Sequence, residues 1–279
     1  MMNYKSILTF FLFLLCVSVT YAQVDTLFIN GERIPCSVKE VTADAVKFSY
    51  PGEDLLNTVY KNTVQQIKFK SGRTQTFIEA SSYKKVSSVD DYDNVTMTSV
   101  ESEVKGLYKL GEVSSKAKGT TTLSNQERVK ERAYRKLKIE AAMLGANIVY
   151  LTNQRSEGNK FGGYYQSGSS AETNLTGVAY TNQLPSIEDF KKLTNGKSDF
   201  VVVEETKMWS SDSDMSKSAI KKDFKVLDIV NDNGIITING ELSGVKKYSK
   251  FRLVGFTADS FNIYYKDKST VYNYKVQFK

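Results

Sequence analysis

The chain has 279 residues, with 38 lysines and arginines against 31 aspartates and glutamates, a formal net charge of +7 and no histidine. The missing histidine excludes Ser-His and Cys-His nucleophilic pairs and every imidazole metal ligand. The mild positive charge suits adhesion to anionic polymers, or simply a soluble surface.

Met1 to Lys5 carries one cation, Lys5, and Ile7 to Val17 reads ILTFFLFLLCV. SVTYAQ follows, with small Thr20 and Ala22. A basic start, a short apolar run and small residues at its end predict a secretory signal peptide over residues 1–22, cleaved after Ala22. The run is too short to cross a bilayer, which takes ~20 apolar residues. Leu15, rather than a small residue, precedes Cys16, which argues against lipid attachment there. No later stretch is apolar enough for a transmembrane segment. The mature chain is therefore expected in the periplasm or at the cell surface, as two or three small domains. Cys36 is then the sole remaining cysteine. It lies in the alternating set Ile34, Cys36, Val38 and reads as a small buried hydrophobe rather than a reactive thiol.

Residues 23–81 read as a β module. DTLFINGERIPCSVKEVTADAVKFSY alternates around the hairpin signal Asn30-Gly31, and NTVYKNTVQQIKF and KSGRTQTF continue it. Five or six strands in a curled sheet or partly open barrel are expected. SSYKKVSSVDDYD reads as a polar linker.

Residues 94–182 read as a central domain. NVTMTSV and GLYKLGEVSSKAK predict strands. A long helix follows, with Ser124 as cap and Glu127 completing a capping box. Val129, Ala133, Leu137, Ala141 and Leu144 form its apolar stripe, and Arg128, Arg132, Arg135 and Lys138 face the other way. Gly145 sits where a helix end takes a positive φ, and IVYL then starts a strand. So short a joint packs the helix back on the sheet. RSEGNKFGGYYQSGSSAETNLTG reads as a long loop and VAYT as the returning strand.

Residues 186–279 read as a second β module. It opens with a short helix in LPSIEDFKKLTNG, capped by Ser186 and stopped at Asn195-Gly196. KMWSSDSDMSKSAIKK reads as a polar loop between strands. In the last strand Tyr272, Tyr274, Val276 and Phe278 share a face. Three phrases recur in order: INGE at 29 and 238, TADAVKFSY and TADSFNIYY at 42 and 257, and NTVYKNTVQQIKF and STVYNYKVQF. They raise the possibility of a duplication flanking the central domain. The elements together predict an α+β protein: two small all-β, barrel-like modules flanking a central α/β domain with one long helix on a small sheet.

ERAYRKLKIEAAMLGANIVYLTNQ, flanked by LYKLGEV and LTGVAY, resembles the small α/β domain of the RcsF and YbjQ-type envelope proteins. The resemblance covers about a third of the chain and implies a fold and a compartment. The paired cysteines and lipid signal of RcsF are missing, so its stress-sensing role does not carry over. The N-terminal region is similar to short β modules of exported Gram-negative proteins, which again implies compartment rather than activity.

Motifs for chemistry are sparse. Ser-x-x-Lys spacings such as Ser218 with Lys221 and Ser243 with Lys246 are what a chain rich in both residues produces. Glu204 and Glu205 are neighbours in a strand and point to opposite faces. SDSD at 211 and NDNG at 231 read as turns rather than calcium loops. No cofactor and no metal site are expected. Three features could make contacts: the loop aromatics Phe161, Tyr164 and Tyr165; the basic helix face at Arg128, Arg132 and Arg135; and Trp209. The expectation is a non-enzymatic envelope interaction or structural protein, with an envelope protein or glycan as partner and no specific nucleic acid. A binder of anionic polymers through the helix face is one alternative. A hydrolase with a Ser-Lys or carboxylate site is the other.

Overall fold

The computed structural model describes residues 24–29, 32–77, 83–164, 167–209, 214–245 and 250–278. The expected signal peptide, the Asn30-Gly31 turn and Tyr165 lie outside these residues.

The first sheet is a meander of β1 (Asp25–Ile29), β2 (Glu32–Val41), β3 (Ala45–Ser49) and β4 (Asn57–Tyr60). A 3-10 turn at Lys61–Thr63 breaks the chain, and β5 (Val64–Lys68) returns to pair with β1, with β6 (Thr74–Thr76) outside it. Leu27, Cys36, Val46, Phe48, Val64 and Ile67 form its core. The buried Asp25 carboxylate ties this sheet together. It accepts the Val38 N–H at 2.8 Å and the Lys70 N–H at 2.7 Å. Cys36 is 1% exposed. Burial, reinforced by the Asp25 charge, pushes its thiol up to about 11.

The central sheet is ordered β7 (Thr96–Thr98), β9 (Ile148–Glu157), β10 (Glu172–Thr181), β8 (Tyr108–Lys118), and the β7–β9 pair is parallel. Helix α1 (Gln126–Leu144) lies on it. Its stripe Val129, Ala133, Leu137, Ala141 and Leu144 packs with Val113, Val149, Leu175 and Ala179. The cap is Asn125, whose Oδ1 accepts the Arg128 N–H at 3.0 Å. Ser124, the expected cap, instead accepts the Thr121 N–H through Oγ. At the other end Gly145 has φ +83° and its N–H reaches the Ala142 carbonyl, the left-handed stop that glycine adopts at least cost.

The third sheet is a closed barrel of β11 (Asp199–Trp209), β12 (Ser216–Asp232), β13 (Ile235–Leu242), β14 (Lys250–Phe256), β15 (Ser260–Asp267) and β16 (Thr270–Gln277). The β11–β16 pairing closes it and leaves no free edge. Phe200, Phe224, Phe251, Phe261, Tyr265 and Tyr274 fill it. Helix α2 (Ile187–Thr194), capped by Ser186, plants Phe190 against the rings of Phe256 and Phe261 at 5.5 and 5.2 Å. Toward the opposite end Tyr274 donates to Glu205 at 2.9 Å, and Tyr265 pairs with Tyr274.

The α+β expectation is therefore corrected. Strands take up 54% of the residues and helices 17%, in a β-rich fold of three sheets. The error lay in polar stretches taken for loops. β9 and β10 run on to Glu157 and from Glu172, and β12 starts at Ser216 inside the supposed KMWSSDSDMSKSAIKK loop. Cross-strand pairing, not apolar alternation, holds these segments. The supposed linker is also packed. Val86 and Val89 are buried, and Asp91 caps Val89–Asn94 by accepting from the Ser87 and Ser88 N–H groups.

Part of the sequence repetition is structural. In TAD at 42 and again at 257 the threonine N–H reaches the carbonyl three residues on, and the threonine Oγ1 accepts the N–H there. The flanking hairpins share one register. Val41 faces Val46 as Phe256 faces Phe261, and Val38 faces Phe48 as Leu253 faces Ile263. Both carry a bulge at the same step, Val38/Glu40 and Leu253/Gly255. The second INGE lies within β13; in the first, Asn30-Gly31 falls outside the described residues.

The central sheet and the barrel meet around the end of α1. Beside its sheet-facing stripe, Ile139 and Met143 pack on Val89 and on Met208 and Val271 of the barrel wall. Asn273 donates to the Met143 carbonyl at 3.1 Å and Arg252 to the Leu110 carbonyl at 2.6 Å. The bulge residue Val254 presses on Gly145. A Cβ there would lie 3.1 Å from Val254 Cγ1 and 3.2 Å from its carbonyl oxygen.

Two outcomes follow from these contacts. Native Cys36 should react with a thiol reagent about tenfold more slowly than an unperturbed cysteine from its raised pKa, and more slowly still from its burial; labelling at the denatured rate would contradict the buried placement. Gly145→Val should destabilise the protein by ~1–3 kcal/mol through left-handed strain, with the Val254 contact adding to it. Denaturant titration of the variant checks this, and an unchanged midpoint contradicts it.

Candidate binding cleft and loop surface

A cleft of about 960 Å³ opens where the three sheets converge. The first sheet contributes Ile34, Phe48, Tyr50 and Glu32. The central domain and its flanks contribute Tyr108, Asn182 and Gln183, and the segment before it contributes Tyr83. The start of α2 adds Glu188 and Asp189, and the β12–β13 turn adds Asn231 and Asn233. Its walls are held by specific bonds. Asn147 donates to Asn182 at 2.7 Å and to the Lys84 carbonyl at 3.3 Å. Asn262 reaches from the barrel to the Ser87 carbonyl at 3.0 Å, and Asn62 from the first module to the Glu103 carbonyl at 3.0 Å. The cleft thus combines tyrosine rings, side-chain amides and carboxylates with an apolar wall. Clefts between domains are a usual place for a ligand.

The residues singled out in sequence fall in two places. Phe161 and Tyr164 are highly exposed on the 158–171 loop. Arg128 stands in the first turn of α1, and Asn159 of the loop donates to the Ser124 carbonyl at 2.8 Å, so loop and helix start share one end of the molecule. Arg132 is one turn further on and donates to the Lys118 carbonyl at 2.9 Å. Arg135 lies apart from them. It is ion-paired with Asp214 at 2.9 Å and stands over the Tyr92 ring. The basic face is therefore not one surface. Its last turns are covered by the barrel, and Lys136, within the same run, is 2% exposed with its ammonium on the Lys116 carbonyl at 3.0 Å.

Sequence reasoning did not find the cleft. Its lining comes from three sheets, and only tertiary packing brings Tyr50, Tyr108 and Glu188 together. The Ser-Lys pair at 218 and 221 is exposed on β12, and Lys246 lies outside the described residues. Glu204 and Glu205 engage different partners, Lys217 and Lys222. NDNG forms the tight β12–β13 turn, with Asn233 and Gly234 at positive φ.

Glu140 is a buried carboxylic acid at the helix–barrel contact. It accepts the Ser114 N–H at 3.1 Å and faces Lys266 at 3.4 Å. Burial raises its carboxyl above the usual carboxylate range, against the opposing pull of the Ser114 N–H, Lys266 and Lys136. Tyr264 nearby is raised by burial and by the Glu140 charge.

Comparison with protein-family models, with curated proteins and with solved structures finds no match.

Glu140 gives a pH test. Its folded pKa lies above the unfolded one, so its contribution is fullest below the ordinary carboxylate pKa. It is lost as pH rises through the folded value. Glu140→Gln keeps an acceptor for the Ser114 N–H and should flatten that fall, with stability near neutrality unchanged or raised by up to ~1 kcal/mol. Melting curves across the acid-to-neutral range check it; a slope equal to the wild type contradicts it.

Proposed function

We propose that the protein is an exported, non-catalytic envelope protein that binds a polyhydroxylated ligand, an envelope glycan, in the three-sheet cleft. The observation that carries this reading is the lining itself. Tyr50, Tyr83 and Tyr108 rings stand beside the amides of Asn182, Gln183, Asn231 and Asn233 and the carboxylates of Glu32, Glu188 and Asp189. Sugars offer apolar C–H faces that stack on aromatic rings, and paired hydroxyls that amides and carboxylates hold by hydrogen bonds.

The leader-like first 22 residues and the RcsF/YbjQ-like segment Glu131–Gln154 support the compartment. Among the described residues no helix is long and apolar enough to cross a membrane. The non-catalytic reading rests on the chain's lack of histidine and on the position of Ser218, Lys221, Glu204 and Glu205 outside the cleft lining.

The test is retention on purified cell-wall polysaccharide, with Tyr50→Ala/Tyr108→Ala beside the wild type. Both rings are more than a third exposed, so the variant should melt normally. Losing two stacking contacts of ~0.5–1.5 kcal/mol each predicts binding weaker by about 5- to 150-fold. No retention of the wild type, or equal retention of the variant, overturns the reading.

A further inference from the structure

The three most exposed large apolar or aromatic side chains among the described residues are Tyr164 at 94%, Leu123 at 80% and Phe161 at 74%. They come from two loops distant in sequence, 119–125 and 158–171, that are joined at one end of the central domain. Asn159 is the clasp. Its Nδ2 donates to the Ser124 carbonyl at 2.8 Å, and its Oδ1 accepts the Ala171 N–H at 2.7 Å. Gly119 donates to the Ala171 carbonyl at 2.7 Å, and Lys160 and Ser169 exchange backbone bonds at 2.8 Å. At Gly168 a Cβ would stand 3.0 Å from Thr122 Cγ2, so the loops touch.

The surround is basic. Residues 116–132 and 155–172 hold seven lysines and arginines against four glutamates. Glu157 is taken up by Arg155 and Lys160, and Glu172 by Lys116. That leaves Lys118, Arg128, Lys130 and Arg132 against Glu127 and Glu131.

We infer that this end of the central domain seats on an anionic lipid surface, with Leu123, Phe161 and Tyr164 entering the headgroup region and the flanking cations facing lipid phosphates. The chemistry matches on both counts. Apolar and aromatic side chains are favoured at the interface, and lysine and arginine are drawn to the negative surface potential. Among the described residues the tip presents three large exposed side chains. A stable protein–protein contact buries roughly 800 Å² per partner, whereas a flat bilayer needs only a wedge. The tip shares no residue with the cleft, so the two readings stand or fall separately.

The test uses the chain from Gln23 onward, which keeps every described residue and removes the lipid-seeking run Ile7–Val17. It is sedimented with vesicles of phosphatidylethanolamine and phosphatidylglycerol, and with vesicles of phosphatidylcholine alone. Binding to the anionic vesicles is expected, weakening with added salt. Leu123→Ser/Phe161→Ser/Tyr164→Ser should lower it about tenfold or more while its melting curve is unchanged. In a second arm, Phe161→Trp in a Trp209→Phe background should show a blue-shifted emission on adding anionic vesicles. Absence of vesicle binding overturns the inference, as does equal binding to phosphatidylcholine, equal binding by the triple variant, or an unshifted emission. A triple variant that loses capture of an envelope protein, in a chain that ignores vesicles, would reassign the tip to protein contact and likewise overturn it.

Discussion

The C-terminal half of α1 is covered on two sides, and the other parts are arranged around that fact. Leu137, Ala141 and Leu144 face the central sheet, while Ile139 and Met143 face the barrel wall. A helix that is apolar on both sides cannot remain at a surface; it has to be enclosed. The enclosure sets the rest. It requires a stop that lets the chain leave at once, met by Gly145, and it brings Val254 of the barrel against that stop. It also forces the few polar groups in the contact to find partners, as Glu140, Asn273 and Arg252 do.

The cleft is a by-product of the same docking. The 83–88 segment lies between the barrel and the central domain, pinned by Asn147 and Asn262. The first sheet is held to the domain from the other side by Asn62 and by the Tyr60–Gly106 contact. Three sheets fixed by different bonds cannot fill the space at their junction, and the space left is lined by what each exposes there. The hairpin end is separate in origin. It belongs wholly to the central domain, where Asn159 and the Gly119–Ala171 backbone bond join two loops.

The recurring TAD hairpin shows how a local rule is reused under different closure. The threonine turn and the bulge that precedes it are the same in both sheets. In the first sheet a 3-10 turn at Lys61–Thr63 splits the next strand, so that β4 pairs with β3 and β5 with β1. In the third, β16 is continuous and pairs with both β15 and β11, closing a barrel. The bulge in the first module stands near Asp25, whereas in the third its extra residue, Val254, meets the helix end.

What the sequence determined by itself were features with a local physical cause. The α1 stripe, the glycine stop, the Ser186 cap, the buried Cys36 and the NDNG turn follow from periodicity, from positive φ or from side-chain capping within a few residues. The capping residue of α1 was legible only to within one position, because Ser124 and Asn125 both offer an acceptor and the loop geometry chooses. Only the tertiary structure decided the β-rich balance of the fold, since long polar strands such as β9 and β12 are held by partners distant in sequence. It also decided that Arg135 is paired while Arg128 stands at the loop end, because Asp214 arrives from the barrel. The cleft had no sequence signal at all. Its tyrosines, amides and carboxylates carry no shared pattern until three sheets distant in sequence bring them to one cleft.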